Sequence, residues 1–134
     1  MRFLRNGNLL AAMVLLHLGV TIAHAMAHVQ AQVALSPAAL SFVLTIVLAG
    51  PVLGLLMQRT AYPRGGAWAI AATLAGAFCF GLANHFLLSG ADHVHHVTSD
   101  WRAFFQATAV FLAVTEFLGS SIALCCATRE RSRP

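Results

Sequence analysis

Charged residues are scarce in this chain of 134 residues. Only 9% of the residues are charged, four of them are acidic, and all eight basic residues are arginine. Hydrophobic residues make up 59% of the chain, whereas a soluble domain carries about a quarter of charged residues and fewer apolar ones. The composition therefore excludes an ordinary soluble domain and indicates a protein whose solvent is a membrane.

The sequence also lacks the short motifs of several enzyme classes. It contains no glycine-rich loop of the Walker type, no G-x-S-x-G and no H-E-x-x-H. Nucleotide hydrolysis, serine hydrolysis and zincin chemistry thus have no support, and no enzyme class is assigned. The three cysteines form no C-x-x-C pair. Because adjacent cysteines such as Cys125 and Cys126 rarely reach disulfide geometry, a redox disulfide is not expected.

Long apolar runs dominate what is present. Four stretches approach or exceed the roughly 20 apolar residues that cross a bilayer, and they predict helices at about 9–30, 37–58, 65–89 and 100–128. The connectors between them are short, so neighbouring helices should pack antiparallel. We therefore predict an all-α protein, a single transmembrane domain over residues 1–134 that forms a four-helix bundle in a lipid bilayer.

The arginines are distributed unequally between the two ends of these spans. Arg102 stands alone at one end, and the other seven lie at the opposite end: Arg2, Arg5, Arg59, Arg64, Arg129, Arg131 and Arg133. Loops rich in arginine stay on the cytoplasmic side of a membrane. This pattern predicts a multi-pass protein of the cell inner membrane, with both termini in the cytoplasm and a histidine-rich loop outside. It explains the net charge of +4 without a nucleic-acid partner.

The first apolar stretch has a second interpretation as a cleaved signal peptide. Arg2 and Arg5 would form its basic region, and the sequence AHA at residues 23–25 matches the small-x-small cleavage pattern. Against this interpretation, His17 interrupts the apolar stretch, and apolar sequence continues beyond the AHA site. We therefore favour a first transmembrane helix and keep cleavage as the alternative.

The second span carries packing signals and no ionisable side chain over residues 37–58. Ser36 followed by proline is typical of a helix start. Pro51 predicts a kink, and Gly50 with Gly54 provides a small-x-x-x-small face for another helix. We interpret this span as a packing scaffold.

The polar residues inside the first span follow a pattern. At about 100° per residue, His17, His24 and His28 share one narrow stripe of the helix, joined by Thr21. Lipid offers an imidazole no hydrogen-bond partner, so the stripe should face protein or water. Glu116, the sole carboxylate in any span, is flanked by small residues and should point inward at about the depth of His17.

The other histidines gather at the outer ends of the spans. The first and third spans run in the same direction, so His24, His28 and His85 should lie at similar depth, and helical H-x-x-x-H can share one ion. The adjoining loop adds Asp92 and more imidazoles. We therefore predict a site for a transition metal of the kind imidazole binds, namely zinc, copper or iron. Its candidate ligands are His24, His28, His85, His93, His95 and His96.

Three alternatives stay open. A b-type haem would take one histidine of the first span and His85 as axial ligands, with Gly81 leaving room for the ring. In either cofactor case the protein would be a redox or metal-handling subunit. A proton relay would use His17, Glu116 and Asp92. A structural or accessory membrane subunit would need no cofactor, and a hydrogen bond between His17 and Glu116 would then simply join two helices. Faces of small residues are compatible with a homo-oligomer or with docking in a membrane complex.

Overall fold

A computed structural model describes residues 2–129 of the chain, with side chains from Gly7 onward. Within this range every regular element is helical. Four helices are long and apolar enough to cross a membrane, which confirms the prediction of an all-helical chain with four such segments. They are α1 (Arg2–Gln30), α2 (Pro37–Met57), α3 (Pro63–Leu87) and α4 (Arg102–Arg129).

The helix ends differ from the predicted ones by at most two residues, with one exception. The first helix begins at Arg2 instead of near residue 9. The predicted start was the first residue of the apolar stretch. The residues before it include several polar ones, and they are helical as well. Four arginines behind the topology prediction have side chains outside the described residues: Arg2, Arg5, Arg131 and Arg133.

Glycines bring α2 and α3 into close contact. Gly54 lies against Gly66 and Ile70, and Gly50 lies against Thr73. A Cβ added to Gly66 would collide with the carbonyl oxygen of Gly54. The predicted small-residue face of α2 is therefore a packing surface, and it holds α3 at a distance that admits no side chain between the two backbones.

The middle of α2 departs from α-helical geometry. Val43–Ala49 is π-helical, and Pro51 follows shortly after it. Proline has no N–H, so the carbonyl of Val47, four residues earlier, lacks its usual helical donor. That carbonyl instead accepts a hydrogen bond from His17 Nε2 of α1 at 3.0 Å. In place of the simple kink predicted at Pro51, α2 thus contains a π-helical segment just before the proline. The hydrogen bond from His17 to Val47 joins this segment to α1.

Two buried apolar clusters hold α1, α3 and α4 together. One joins Leu10, Val14, Ala67, Ile70, Ala71, Leu74, Ala123 and Ala127. The other lies at the opposite end of the bundle and joins Ala27, Val94, Val97, Phe105 and Ala109. Val94 and Val97 belong to the loop between α3 and α4, so this loop folds back over the helix ends. It is held there by a hydrogen bond from the Val94 amide to the His85 carbonyl at 3.0 Å.

The α2–α3 contact generates a stability prediction. Gly66→Ala should lower the free energy of unfolding by about 1–3 kcal/mol, because its Cβ overpacks a site closed by backbone. Gly19→Ala is the control, since a Cβ there meets nothing within 4 Å and alanine favours a helix over glycine by about 1 kcal/mol. Thermal unfolding in detergent, followed by circular dichroism, measures both. A Gly66→Ala protein that melts no lower than wild type would contradict this packing.

Candidate metal centre

Three imidazoles meet where the ends of α1 and α3 lie side by side. His24 and His28 come from consecutive turns of α1, and His85 comes from the π-helical end of α3, Ala83–Leu87. One nitrogen of each ring lies within 4.8 Å of the corresponding nitrogens of the other two. His24 Nε2 and His85 Nε2 are 3.2 Å apart. All three side chains are buried or at the edge of burial, with 5%, 9% and 5% of their surface exposed.

The other nitrogen of two of these rings contacts a backbone carbonyl. His28 Nδ1 lies 3.1 Å from the carbonyl oxygen of Val33, and His85 Nδ1 lies 3.0 Å from that of Asp92. A carbonyl oxygen can only accept, so both rings carry a hydrogen on Nδ1. In a neutral imidazole the remaining nitrogen, Nε2, then presents a lone pair.

The Nδ1 nitrogen of the third ring, His24, contacts a hydroxyl oxygen instead of a carbonyl. His24 Nδ1 lies 2.8 Å from Thr108 Oγ1, and this hydroxyl donates its hydrogen to the Phe104 carbonyl at 2.9 Å. A hydroxyl has one hydrogen, so when Thr108 donates it to this carbonyl, Thr108 accepts from His24 Nδ1 and His24 also presents a lone pair at Nε2. In these tautomers His24 Nε2 and His85 Nε2 present lone pairs to each other, and His28 Nε2 presents one beside the Asp92 carboxylate. A cation at these atoms would stabilise such an arrangement.

Asp92 adds negative charge beside the three rings. Its Oδ1 lies 3.2 Å from His28 Nε2 and 3.3 Å from His85 Nδ1, and it is buried without an aligned hydrogen bond. Burial by itself would raise the pKa of the Asp92 carboxyl, but the contact with His85 and the nearby His28 and His24 lower this pKa below its ordinary value. Asp92 is therefore ionised at neutral pH and attracts a cation to the group.

The spacing of the rings suits a single ion better than a haem. Zinc binds histidine nitrogen at about 2.0–2.1 Å, so two nitrogens on a tetrahedral zinc lie about 3.3 Å apart. The distance between His24 Nε2 and His85 Nε2 is 3.2 Å. Axial haem ligands stand on opposite faces of the macrocycle, and their rings must leave room for it. His24 Nε2 and His85 Nε2, at hydrogen-bonding distance, leave no such room between them, whereas a haem held by His28 and His85 stays a prediction.

The loop histidines lie apart from this group. His93 Nε2 contacts the Phe86 carbonyl at 3.3 Å, and His96 Nδ1 contacts the Gly90 carbonyl at 2.8 Å. Among the described side chains, the convergent group consists of His24, His28 and His85. The structure does not bring His93, His95 and His96 to it, and their participation in metal binding stays a prediction.

Two of the three residues predicted to form a relay, His17 and Glu116, are not joined to each other. His17 is bonded to Val47, and its Nδ1 is buried without a partner. Within residues 7–129 no hydrogen bond joins His17 to Glu116. The carboxylate of Glu116 instead lies near His85, above the bare backbone of Gly81. A proton relay through these groups stays a prediction.

A cavity of about 540 Å³ lies directly beside the three histidines, within the usual size range of small-molecule sites. Its polar lining residues are Thr21, His24, His28, Gln32, His85, Asp92 and Glu116. Aliphatic side chains of α2 form another wall, namely Leu40, Val43, Leu44, Val47 and Leu48. The second span is therefore more than a packing scaffold, because it encloses the space next to the imidazoles.

Several groups that contact the three histidines were not predicted from the sequence. The carbonyls of Val33 and Asp92 have no signature in a sequence, since every residue carries one. Thr108 carries a weak signal, because it is a polar residue of the fourth span at the depth of the outer histidines. No family model, curated protein or solved structure matches the chain. The donor set is informative in itself, because neutral imidazoles suit zinc, copper, iron and nickel.

The contact between Thr108 and His24 generates a test. Thr108→Val keeps the shape of the side chain but removes the acceptor of the His24 Nδ1 hydrogen, so zinc affinity should fall about 10–100-fold. Thr115→Val is the matched control, because Thr115 is also buried on α4 and its hydroxyl bonds to the Leu112 carbonyl alone. Competition with a chromophoric chelator measures both affinities. Equal affinities for the two variants would contradict the role assigned to Thr108.

Proposed function

We propose that this protein is an integral membrane protein that binds one transition metal ion through Nε2 of His24, His28 and His85. The convergence of one nitrogen from each of the three rings carries the proposal. Histidines that ligate metals usually donate their other N–H to a carbonyl, a carboxylate or a water. All three rings meet this pattern with a carbonyl or a hydroxyl oxygen as acceptor.

The contacts along the helices support an antiparallel bundle in the bilayer. Gly54 faces Gly66 while Gly50 faces Thr73, so the residue number rises along α3 as it falls along α2. Arg59 lies in the turn between these helices, and the positive-inside rule assigns that end to the cytoplasm. The metal centre then lies toward the outer face of a cell inner membrane, with both termini inside.

Zinc is the first candidate for this ion, because it binds histidine nitrogen in tetrahedral sites. A tetrahedral ion with three histidine ligands keeps one position open, as catalytic zinc sites do, and zinc in such a site acts as a Lewis acid. Asp92 assists by holding the His85 ring and by neutralising part of the charge of the ion. We therefore infer a metal-dependent membrane subunit in which the bound ion faces the cavity.

A proton is the competing cation. A single proton shared between His24 Nε2 and His85 Nε2, 3.2 Å apart, would also satisfy both lone pairs. The three histidines would then form a hydrogen-bonded network that stabilises the bundle or handles protons, without a cofactor. Metal analysis separates this second candidate from the first.

The test is metal content after purification in detergent and incubation with zinc. The wild-type protein should retain one zinc ion per chain at neutral pH, and replacement of any one ring by His24→Ala, His28→Ala or His85→Ala should abolish stoichiometric binding. His96→Ala is the control, because this ring is exposed and bonds to the loop backbone.

Thermal unfolding provides the second readout. A ligand at about 100 times its Kd stabilises the folded state by about 2.7 kcal/mol, so zinc should raise the Tm of the wild type and of His96→Ala but leave that of His85→Ala unchanged. A wild-type protein that retains no zinc, copper or iron, and whose Tm none of them moves, would refute the metal centre in favour of the shared proton.

A further inference from the structure

The cavity beside the metal centre opens sideways. Three residues of its rim are Val29 of α1 and Leu40 and Leu44 of α2, whose exposed fractions are 74%, 47% and 52%. The first helix packs against the Gly50–Met57 part of α2 but makes few contacts with the part before it. The two helices therefore leave a gap along their outer halves. In a bilayer this gap faces hydrocarbon, so the cavity is accessible from the lipid.

The inner end of the cavity is polar. Its floor holds the three imidazoles and Glu116, which is 3% exposed. The absence of a side chain at Gly81 leaves space between Glu116 and His85. A Cβ at Gly81 would lie 3.7 Å from Glu116 Oε2 and 3.8 Å from His85 Cδ2. A molecule that fills this cavity thus needs an apolar body and a polar end.

The open coordination position of the ion is directed to the same space. Three histidine ligands leave the fourth tetrahedral position to a water or a substrate oxygen. His24, His28 and His85 all line the cavity, whereas their Nδ1 sides face protein. The position that the protein does not fill therefore faces the cavity.

We propose that the cavity binds a lipid-soluble amphiphile, which enters from the bilayer between α1 and α2 and places a head-group oxygen on the metal ion. Its chain lies along the aliphatic wall of α2, and its head group reaches His85 and Glu116. The class is an apolar chain with a hydroxyl, carbonyl or carboxylate oxygen. This inference rests on the proposed metal centre, which supplies the partner of that oxygen.

The experiment uses the full chain in lipid nanodiscs, loaded with Co²⁺ in place of zinc, because the visible absorption of Co²⁺ reports its ligands. Two probes carry the same metal-binding head group: decanohydroxamic acid has a long chain and acetohydroxamic acid has none. Both should change the Co²⁺ spectrum, and the long-chain probe should bind about tenfold more tightly or better, because its methylene groups leave water.

Two tryptophan variants of α2 separate the cavity from the surrounding lipid. Leu44→Trp fills the rim, whereas Leu53→Trp lies on the same helix, is 58% exposed and does not line the cavity. The long-chain probe should lose its advantage in Leu44→Trp and keep it in Leu53→Trp. The Co²⁺ content of every variant is measured first, so that the affinities refer to loaded protein.

The outcomes distinguish the two proposals. A wild-type protein that takes up neither Co²⁺ nor zinc overturns the metal centre, and this inference with it. Bound Co²⁺ whose spectrum the long-chain probe leaves unchanged means that its head group does not reach the ion, which overturns this inference alone. Equal affinities of the long-chain probe for Leu44→Trp and wild type also overturn it while the metal centre stands.

Discussion

The protonation of three buried rings depends on the groups behind them. The carbonyls of Val33 and Asp92 and the hydroxyl of Thr108 each accept from an Nδ1 nitrogen. These acceptors leave a lone pair on each Nε2 when the rings are neutral, and the buried rings line the cavity. The lone pairs of His24 and His85 then face each other at 3.2 Å, where a hydrogen-bond network of neutral groups would alternate donors and acceptors. A cation resolves that imbalance.

Several parts of the fold position the imidazoles and their hydrogen-bond acceptors. Pro51 leaves the Val47 carbonyl for His17, which joins α2 to the stripe of α1. The loop between α3 and α4 folds back and delivers both the carbonyl and the carboxylate of Asp92. Phe105, which is fully buried, lies with its ring 4.9 Å from those of His24 and His28. Apolar packing on this side thus limits the directions in which the imidazoles can turn, and the cavity lies beside them.

Local patterns were sufficient for the helices and for part of the site. Apolar stretches identify four helices because hydrophobicity is a property of neighbouring residues, and the 100° advance of a helix places His24 and His28 on one face. The proximity of His85 to these two histidines was predicted because the first and third spans run in the same direction. The rest depends on the loop after α3. Its backbone turns His93 toward the Phe86 carbonyl of α3, His96 toward the loop's own Gly90 carbonyl and Asp92 toward α1. Such a turn has no periodic pattern in the sequence. The π segment of α2 was equally hidden, although Pro51 marked its position.

Nitrogen NMR of protein labelled with ¹⁵N-histidine tests the tautomers most directly, because the chemical shifts distinguish a protonated, an unprotonated and a metal-bound ring nitrogen. With zinc present, His24, His28 and His85 should each show a protonated Nδ1 and a metal-bound Nε2, with assignment by single replacement of each residue. Nε2 hydrogens that persist on these three rings after zinc is added would contradict the proposed centre.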